Sequence, residues 1–189
     1  MRVISGSARG TRLLDLGDAD IRPTLDQVKE SFFNQVGPEL AGMAFLDLFA
    51  GTGSMGIEAL SRGAERVIFV EKNPQAQSLI TRNLEKCRMS HDGQAGRWKL
   101  IKSGALQSLP VLKNKAIQFD FVYVDPPFAD NLYESTLMEL ADSDILKDDA
   151  WVIVEHFHKT GLNESYGRLK SFKDRRLGDS RLSFFRFEP

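Results

Sequence analysis

Short apolar runs that end on a glycine or an acid recur along the chain. Phe45-Leu46-Asp47-Leu48-Phe49 leads into Ala50-Gly51-Thr52-Gly53-Ser54-Met55-Gly56. Arg66-Val67-Ile68-Phe69-Val70 leads into Glu71, and Phe119-Asp120-Phe121-Val122-Tyr123-Val124 into Asp125. Runs this short, with little polar alternation, predict strands buried on both faces, as in a parallel sheet. Trp98-Lys99-Leu100-Ile101 and Trp151-Val152-Ile153-Val154-Glu155 predict two more. Between these runs the period becomes helical. Thr24 is a capping residue with Gln27 three positions on, and Leu25, Val28, Phe32 and Val36 form a stripe that Gly37-Pro38 ends. Ser54 to Arg62 reads as a helix closed by Gly63. Asn73-Pro74 opens another, running through Ala76, Leu79, Ile80, Asn83, Leu84 and Cys87, and a further helix spans about Leu132 to Leu140. Ser90 to Gly96 reads as a polar loop. Arg168–Leu177 and Arg181–Phe187 flank Gly178-Asp179 and predict a β-hairpin. Residues 1–22 alternate weakly at Val3, Leu13, Leu14 and Leu16, a pattern expected of a small, flexible β-hairpin arm. Alternating strands and helices imply an α/β fold with a doubly wound, mostly parallel sheet and a C-terminal antiparallel hairpin. The arm is 1–22 and the main domain 23–189.

Composition narrows the setting. The chain has 189 residues, 42% hydrophobic and 27% charged, with a net charge of −1. That is enough for one sizeable core, and any nucleic-acid affinity must come from local patches. Two such patches stand out: Arg2, Arg9 and Arg12 in the arm, and the segment from Arg168 to Arg186, with seven basic residues against two acids. A single cysteine, Cys87, excludes an internal disulfide and a cysteine zinc cluster, and on its helix it reads as packed rather than reactive. His156 and His158 lack a third spaced ligand, so no metal is expected. No run approaches the roughly 18 apolar residues of a membrane helix. A cytoplasmic protein with no membrane partner is expected.

Candidate chemistry lies at the strand ends, where sheets of this kind bind ligands. Glycines at 51, 53 and 56 let a ligand approach the backbone, and the helix behind them presents its N–H groups. Glu71, twenty residues after Gly51, can accept hydrogen bonds from ribose hydroxyls. Together they suggest a nucleoside cofactor; a dinucleotide would favour a second mononucleotide-binding half. Asp125-Pro126-Pro127-Phe128 suggests amino-group chemistry. An amino group on a purine is a poor nucleophile, because its lone pair is delocalised into the ring. The Asp125 carboxylate and the Pro126 carbonyl would accept its two N–H bonds, the prolines would stiffen the turn, and Phe128 would stack on the base. A methyl sulfonium would be the electrophile. The plainer alternative is a rigid turn in which Asp125 caps the next helix and Phe128 is core.

Asp47-Leu48-Phe49-Ala50-Gly51-Thr52-Gly53 with Asp125-Pro126-Pro127-Phe128 resembles S-adenosylmethionine-dependent amino-group methyltransferases. Met1-Arg2-Val3-Ile4-Ser5-Gly6, Gly10, Arg22-Pro23-Thr24, Phe33-Asn34, Glu58-Ala59-Leu60-Ser61-Arg62-Gly63-Ala64 and Tyr123-Val124-Asp125-Pro126-Pro127-Phe128 narrow the resemblance to the bacterial 16S ribosomal RNA (guanine-N2)-methyltransferase family. The resemblance covers nearly the whole chain. It implies a Rossmann-like, seven-stranded methyltransferase fold with a mobile N-terminal arm, and transfer of methyl from S-adenosyl-L-methionine to N2 of one guanine in 16S rRNA. The substrate would be the 30S subunit or an assembly intermediate, and the enzyme a monomer.

The resemblance further implies that Asp47, Ala50, Gly51, Thr52 and Gly53 surround the methionine part of the cofactor. Glu71 would hold its ribose, Asn73 border the adenosine, and Thr24 reach its carboxylate. The acid that commonly follows the third strand is missing: Lys102-Ser103-Gly104-Ala105 stands there, leaving a main-chain group near Gly104 or Ala105 for the adenine. Asp125, Pro126, Pro127 and Phe128 form the catalytic turn, and Arg2, Arg9, Arg12 and Arg22 are the candidate RNA contacts. Glu58 suits either an approach to the cofactor or stabilisation of its helix through the dipole. Two other classes stay open: an amino-group methyltransferase for DNA adenine or protein glutamine, and a non-catalytic assembly factor. The arm is expected to be dispensable for folding.

Overall fold

The computed structural model describes residues 1–15, 26–89, 96–127 and 132–188. Its elements run α1 (Asp26–Val36), β1 (Ala44–Asp47), α2 (Ser54–Ser61), β2 (Arg66–Val70), α3 (Pro74–Lys86), β3 (Trp98–Ile101), α4 (Ala105–Lys113), β4 (Phe119–Val124), α5 (Tyr133–Ala141), β5 (Leu146–Phe157), β6 (Ser165–Tyr166), β7 (Leu169–Leu177) and β8 (Ser180–Phe187). The strands form one sheet in the order β3-β2-β1-β4-β5-β8-β7-β6. The first five are parallel; β8, β7 and β6 each pair antiparallel with the strand before them in that order. The eighth strand, beyond the seven expected, is the two-residue β6. The order reverses at β1: the chain moves to β2 and β3 on one side, then returns to β4 on the other.

Two apolar layers sandwich the sheet. One joins α1, α2, α3 and the N-terminal hairpin to Phe45, Val67, Phe69, Tyr123, Ile153 and Phe184; the other joins α4 and α5 to Leu46, Ile68, Val122, Val124, Val152 and Phe185. Alternate residues of one strand thus serve opposite layers, which is why the strand runs carry so little polar alternation. Phe32 of α1 lies edge-on to Phe45 and Tyr123, with centroids 5.9 and 5.6 Å away. Burying one such ring stabilises the fold by about 1.5–3 kcal/mol. Gly56 lets α2 press on β2: a Cβ there would stand 2.2 Å from Phe69 Cε1.

Several elements depart from the sequence reading. α4, which carries Pro110 inside it, is a helix beyond those expected. β5 begins well before Trp151, crossing Lys147, Asp148 and Asp149. The start of α1 expected at Thr24 and most of the loop expected at Ser90 to Gly96 lie outside the described residues, as does the 22/23 boundary. The arm is a hairpin, with Arg2 bridging Arg12 and Gly10 N–H donating to Val3 O over 2.8 Å. Residues 1–15 are nevertheless not a loose appendage. Val3, Ala8 and Leu13 are buried in the first apolar layer. Their backbone is bonded to α2 and α3: Ser7 N–H to Ser61 O at 2.9 Å, and Leu14 N–H to Asn83 Oδ1 at 2.7 Å.

Candidate active site

The backbone turns at the C-terminal end of β1 through Gly51 (φ +54°) and Gly53 (φ +81°) into α2. Both values lie in the left-handed region that glycine tolerates best. Asp47 ends β1 with its carboxylate buried, and Oδ2 accepts the Gly56 N–H at 2.9 Å. It thereby ties the strand to the first turn of α2. Burial pushes its carboxyl up to about 7; the Gly56 N–H opposes that rise and the charge of Glu71 adds to it.

Glu71, just past β2, closes the turn from the neighbouring strand. Its Oε2 accepts the Gly51 N–H and its Oε1 the Asn73 N–H, each at 2.7 Å. The two residues that spacing alone had paired, Gly51 and Glu71, are thus in direct contact. Asn73 caps α3, its Oδ1 accepting from Gln75 N at 2.8 Å and Ala76 N at 3.2 Å. Ala50 and Thr52 are buried in the turn, and the Asn83 side chain donates to Thr52 O over 3.0 Å. Past β3, Gly104 precedes α4 and Ala105 is its buried first residue. No acid stands there, but Gln107 Oε1 lies 2.3 Å from where a Cβ on Gly104 would be, so its amide folds over that turn.

Asp125 follows the last residue of β4, the strand beside β1 on the other side. Tyr123 is the register partner of Asp47, which sets Asp125 two residues beyond that pair at the same edge. Asp125 is half-buried, Pro126 buried and Pro127 exposed. Glu71, the glycine turn and Asp125 therefore end three adjacent strands, a span of about 10 Å at ordinary strand spacing. Phe128, Thr24 and Arg22 lie outside the described residues.

The sequence reading missed a buried polar layer behind this edge. Tyr123 donates its hydroxyl to Glu155 Oε2 over 2.5 Å. Its phenol is held well above its ordinary value by burial first, then by the charges of Glu155 and Asp125. Tyr133, at the start of α5, has a buried hydroxyl with no hydrogen-bond partner among the described residues. Its pKa is also raised, chiefly by burial and then by Asp125 and Glu155. The available signals were a tyrosine inside an apolar strand run, two residues before Asp125, and an acid, Glu155, ending the run of the next strand.

Glu58 does neither of the things expected of it. Its carboxylate is fully buried, accepting the N–H groups of Ile4 (2.7 Å) and Ser5 (2.9 Å) and pairing with Arg62 Nε at 2.9 Å. Lys29 Nζ stands 3.8 Å away and donates to Arg2 O. Burial lowers the Lys29 pKa, partly offset by Glu58 and Asp26. A lysine on the inward face of α1, three residues before Phe32, was the sign of this clamp.

Arg2, Arg9 and Arg12 are all exposed, and Arg2 is engaged with Asp26 at 3.4 Å. The hairpin's open end lies by the glycine turn, where Met1 Sδ is 4.0 Å from Thr52 Oγ1. Its tip lies at the far end of α2 by Ser61, so Arg9 is remote from the strand ends and Arg12 closer. His156 is buried between Ser183 Oγ (2.8 Å) and Phe157 O (3.0 Å). Burial pushes the Cys87 thiol up to about 11. No helix among the described residues is long and apolar enough to cross a membrane.

The chain matches, over residues 1–186, the family described as conserved hypothetical protein 95. It is 38% identical over 155 residues to ribosomal RNA small subunit methyltransferase D of Haemophilus influenzae, covering 82% of this chain and 78% of that relative. The solved structure of yhhF from Escherichia coli matches with a TM-score of 0.83 at 30% identity, over 100% of this chain and 98% of that one. An RNA methyltransferase from Salinibacter ruber, solved with S-adenosyl-L-homocysteine, shares the fold at a TM-score of 0.64 and 14% identity, over 88% of this chain and 94% of that one.

Proposed function

The chain belongs to the family described as conserved hypothetical protein 95, and from that premise we propose that it transfers a methyl group from S-adenosylmethionine to N2 of a guanine in 16S rRNA of the 30S subunit or its assembly intermediate. The coarser statement, an RNA methyltransferase of the small-subunit methyltransferase D type, accords with the relative at 38% identity. The observation that carries the finer reading is the placement of Asp125-Pro126-Pro127 at the end of β4, beside the Gly51–Gly53 turn at the end of β1.

The residues fit such a cofactor. Asp47 and Glu71 bring two carboxylates to the cofactor side of this edge, suited to a cofactor bearing a cationic group and a ribose. Asp47 in particular is a buried acid raised to about 7, which a neighbouring cation would hold ionised. Gly51, Thr52, Gly53 and Ala50 would line the methionine part, with Thr24 at its carboxylate. Glu71 would take the ribose and Asn73 the edge of the adenosine; Gln107 and the main chain at Gly104 and Ala105 would meet the adenine where an acid is missing. When bound, S-adenosylmethionine supplies a methyl group on a positively charged sulfur.

The chain's own part is to aim the base and stabilise charge. The Asp125 carboxylate and the Pro126 carbonyl accept the two N–H bonds of the guanine amino group, which directs its lone pair at the methyl carbon. The positive charge that N2 would gain on taking the methyl group, until one of its protons is released, would be stabilised by the half-buried Asp125. Pro126 and Pro127 restrict the turn so that little reorganisation remains, and Phe128 is the candidate to stack on the base. Of the arm's described cations, the exposed Arg12 is better placed than Arg9 to meet RNA phosphate near the strand ends, and Arg2 and Arg22 are further candidates.

The test is transfer of labelled methyl from S-adenosylmethionine to 30S subunits from cells lacking this protein, followed by nucleoside analysis. N2-methylguanosine in 16S RNA is the expected product, and Asp125→Ala is expected to abolish it while cofactor binding persists. Label in adenine or in a glutamine amide, or turnover unchanged by Asp125→Ala, would overturn the assignment. So would cofactor binding without transfer to 30S, naked 16S RNA or DNA.

A further inference from the structure

Seven basic residues crowd the C-terminal hairpin, and its register says where they stand. β4 ends at Val124, opposite Val154 of β5, but β5 and β8 stay paired to Phe157↔Ser180. β7 returns through Leu177↔Ser180, Arg176↔Arg181 and Arg175↔Leu182. The tip therefore rises three residues, about 10 Å, above the end of β4, on the edge of the sheet where Asp125 and Glu71 lie. Three strand spacings, about 14 Å, separate β7 from β4.

The tip is held firmly and its cations are available. Asp179 O accepts the His158 N–H at 2.8 Å, tying the turn to the segment after β5. Of the two acids in this stretch, Asp174 accepts from Ser183 Oγ, and the exposed Asp179 carboxylate lies 3.9 Å from His158 Nδ1, which also contacts Asp179 O at 3.2 Å. Arg175 and Arg176 are exposed and form no ion pair among the described residues; Arg176 Nε donates only to Gly178 O, at 3.0 Å. Scattered lysines on an outer strand would serve to discourage edge pairing. Consecutive strand residues face opposite ways, so Arg175 stands on the face of Leu182 and Arg176 on that of Arg181; the two flank the exposed tip at the end of the sheet that carries the candidate active site, and each guanidinium fork matches phosphate oxygens.

We propose that Arg175 and Arg176 at the tip of the β7–β8 hairpin bind backbone phosphates of the RNA strand flanking the target base. This rests on the proposed function and adds a second anchor to it. The base enters beside Asp125, and the nucleotides next to it are held across the edge of the sheet. Specificity for the base stays with the Asp125 turn, because phosphate contacts position a strand without reading it.

The test compares wild type with Arg175→Ala/Arg176→Ala and Arg175→Lys/Arg176→Lys. It measures methylation kinetics on 30S subunits, RNA affinity across a salt series, and S-adenosyl-L-homocysteine affinity as a check on the fold. For the alanine pair the expected result is a KM for RNA raised about tenfold or more, with kcat and cofactor affinity unchanged. The slope of log affinity against log salt should flatten by about 1–2. The lysine pair should recover much of the salt slope but only part of the KM. Wild-type KM and salt slope in the alanine pair, with wild type itself active, would overturn the tip alone. A wild type that neither binds nor methylates RNA would overturn the proposed function and the tip with it.

Discussion

Ile4 donates its backbone N–H to Glu58 Oε2 over 2.7 Å, across 54 residues of chain. Ser5 and Arg62 share the other oxygen, and Lys29 supplies the nearby buried positive charge. The carboxylate is therefore the point where the hairpin, α1 and α2 are fastened together. Replacing Glu58 by Ala strips two N–H groups and a buried ammonium of their partner at once. Loss of one member of a buried pair costs about 3–5 kcal/mol, and Glu58→Gln, which keeps one acceptor, should cost less. Urea denaturation gives the loss, and amide exchange at Ile4 and Ser5 should accelerate in step. Exchange at wild-type rates would dissociate Glu58 from the arm.

The same docking makes deletion of residues 1–15 a folding mutation rather than a binding mutation. Val3, Ala8 and Leu13 would leave an apolar surface behind, and Ser61, Asn83 and Lys29 would lose acceptors or donors. The truncated chain is expected to melt well below the full chain in a thermal scan. An unchanged midpoint would restore the picture of a detachable arm. RNA contact by the arm is better tested with Arg12→Ala, which leaves this packing intact.

Gly6 and Gly10 separate backbone strain from steric exclusion. Both have positive φ, +79° and +85°, but a Cβ on Gly6 would lie 1.8 Å from the backbone oxygen of Ser61, whereas one on Gly10 meets nothing within 4 Å. Gly10→Ala should therefore cost only the left-handed penalty of about 1–2 kcal/mol. Gly6→Ala adds a clash with main chain and should cost about 1–3 kcal/mol more. Equal losses in denaturant would mean that the hairpin is not held against α2 as described.

Asp47 predicts a pH dependence whose sign can be worked out. Its carboxyl lies near 3.8 in the unfolded chain and is raised to about 7 in the fold. Between these values the folded protein holds a proton that the unfolded chain has released. Stability from this group is therefore full below about pH 4, falls as pH rises to about 7, and is level beyond, a loss on the order of a few kcal/mol. Asp47→Asn removes that slope, so the difference between wild type and variant in urea midpoints should change across pH 4–7 and stay constant above it. A cationic cofactor prefers the ionised form, so its affinity for wild type should rise over the same window. Parallel stability profiles would place the titration elsewhere.

What the sequence made legible was whatever ends a strand. β1, β2 and β4 are apolar runs stopped by glycine, Glu71 or Asp125, and those stops carry both topology and candidate chemistry. Gly51 and Glu71 could be paired because their spacing is that of one strand–helix–strand unit. Contacts made across long loops left no local trace. Two partners of Glu58, Ile4 and Ser5, lie in the first five residues, far from it in sequence, so the arm reads as flexible. Its three buried side chains are separated by arginines, glycines and serines that hide the pattern. α4 was concealed by Pro110, and the early part of β5 by Lys147-Asp148-Asp149. Tyr123 looked like one more apolar strand residue until Glu155 was found beside it.

That pair gives a last prediction. Tyr123 is fully buried, with its ring set edge-on to Phe32 and its hydroxyl 2.5 Å from Glu155 Oε2. It lies two residues before Asp125, so the bond braces the end of β4 from beneath the turn that would hold the amino group. A hydrogen bond to a charged acceptor contributes about 1.5–3 kcal/mol. Tyr123→Phe should lose that much, and Glu155→Gln should lose a comparable amount by weakening the acceptor. Because the two act on one bond, the double variant should be less destabilised than the sum of the singles, by about 1–3 kcal/mol. Activity supplies a second readout: if the bond holds Asp125 in register, Tyr123→Phe should lower kcat on 30S subunits more than it changes KM. Additive stability losses with an unaltered kcat would reduce the pair to ordinary core and remove it from the support of Asp125.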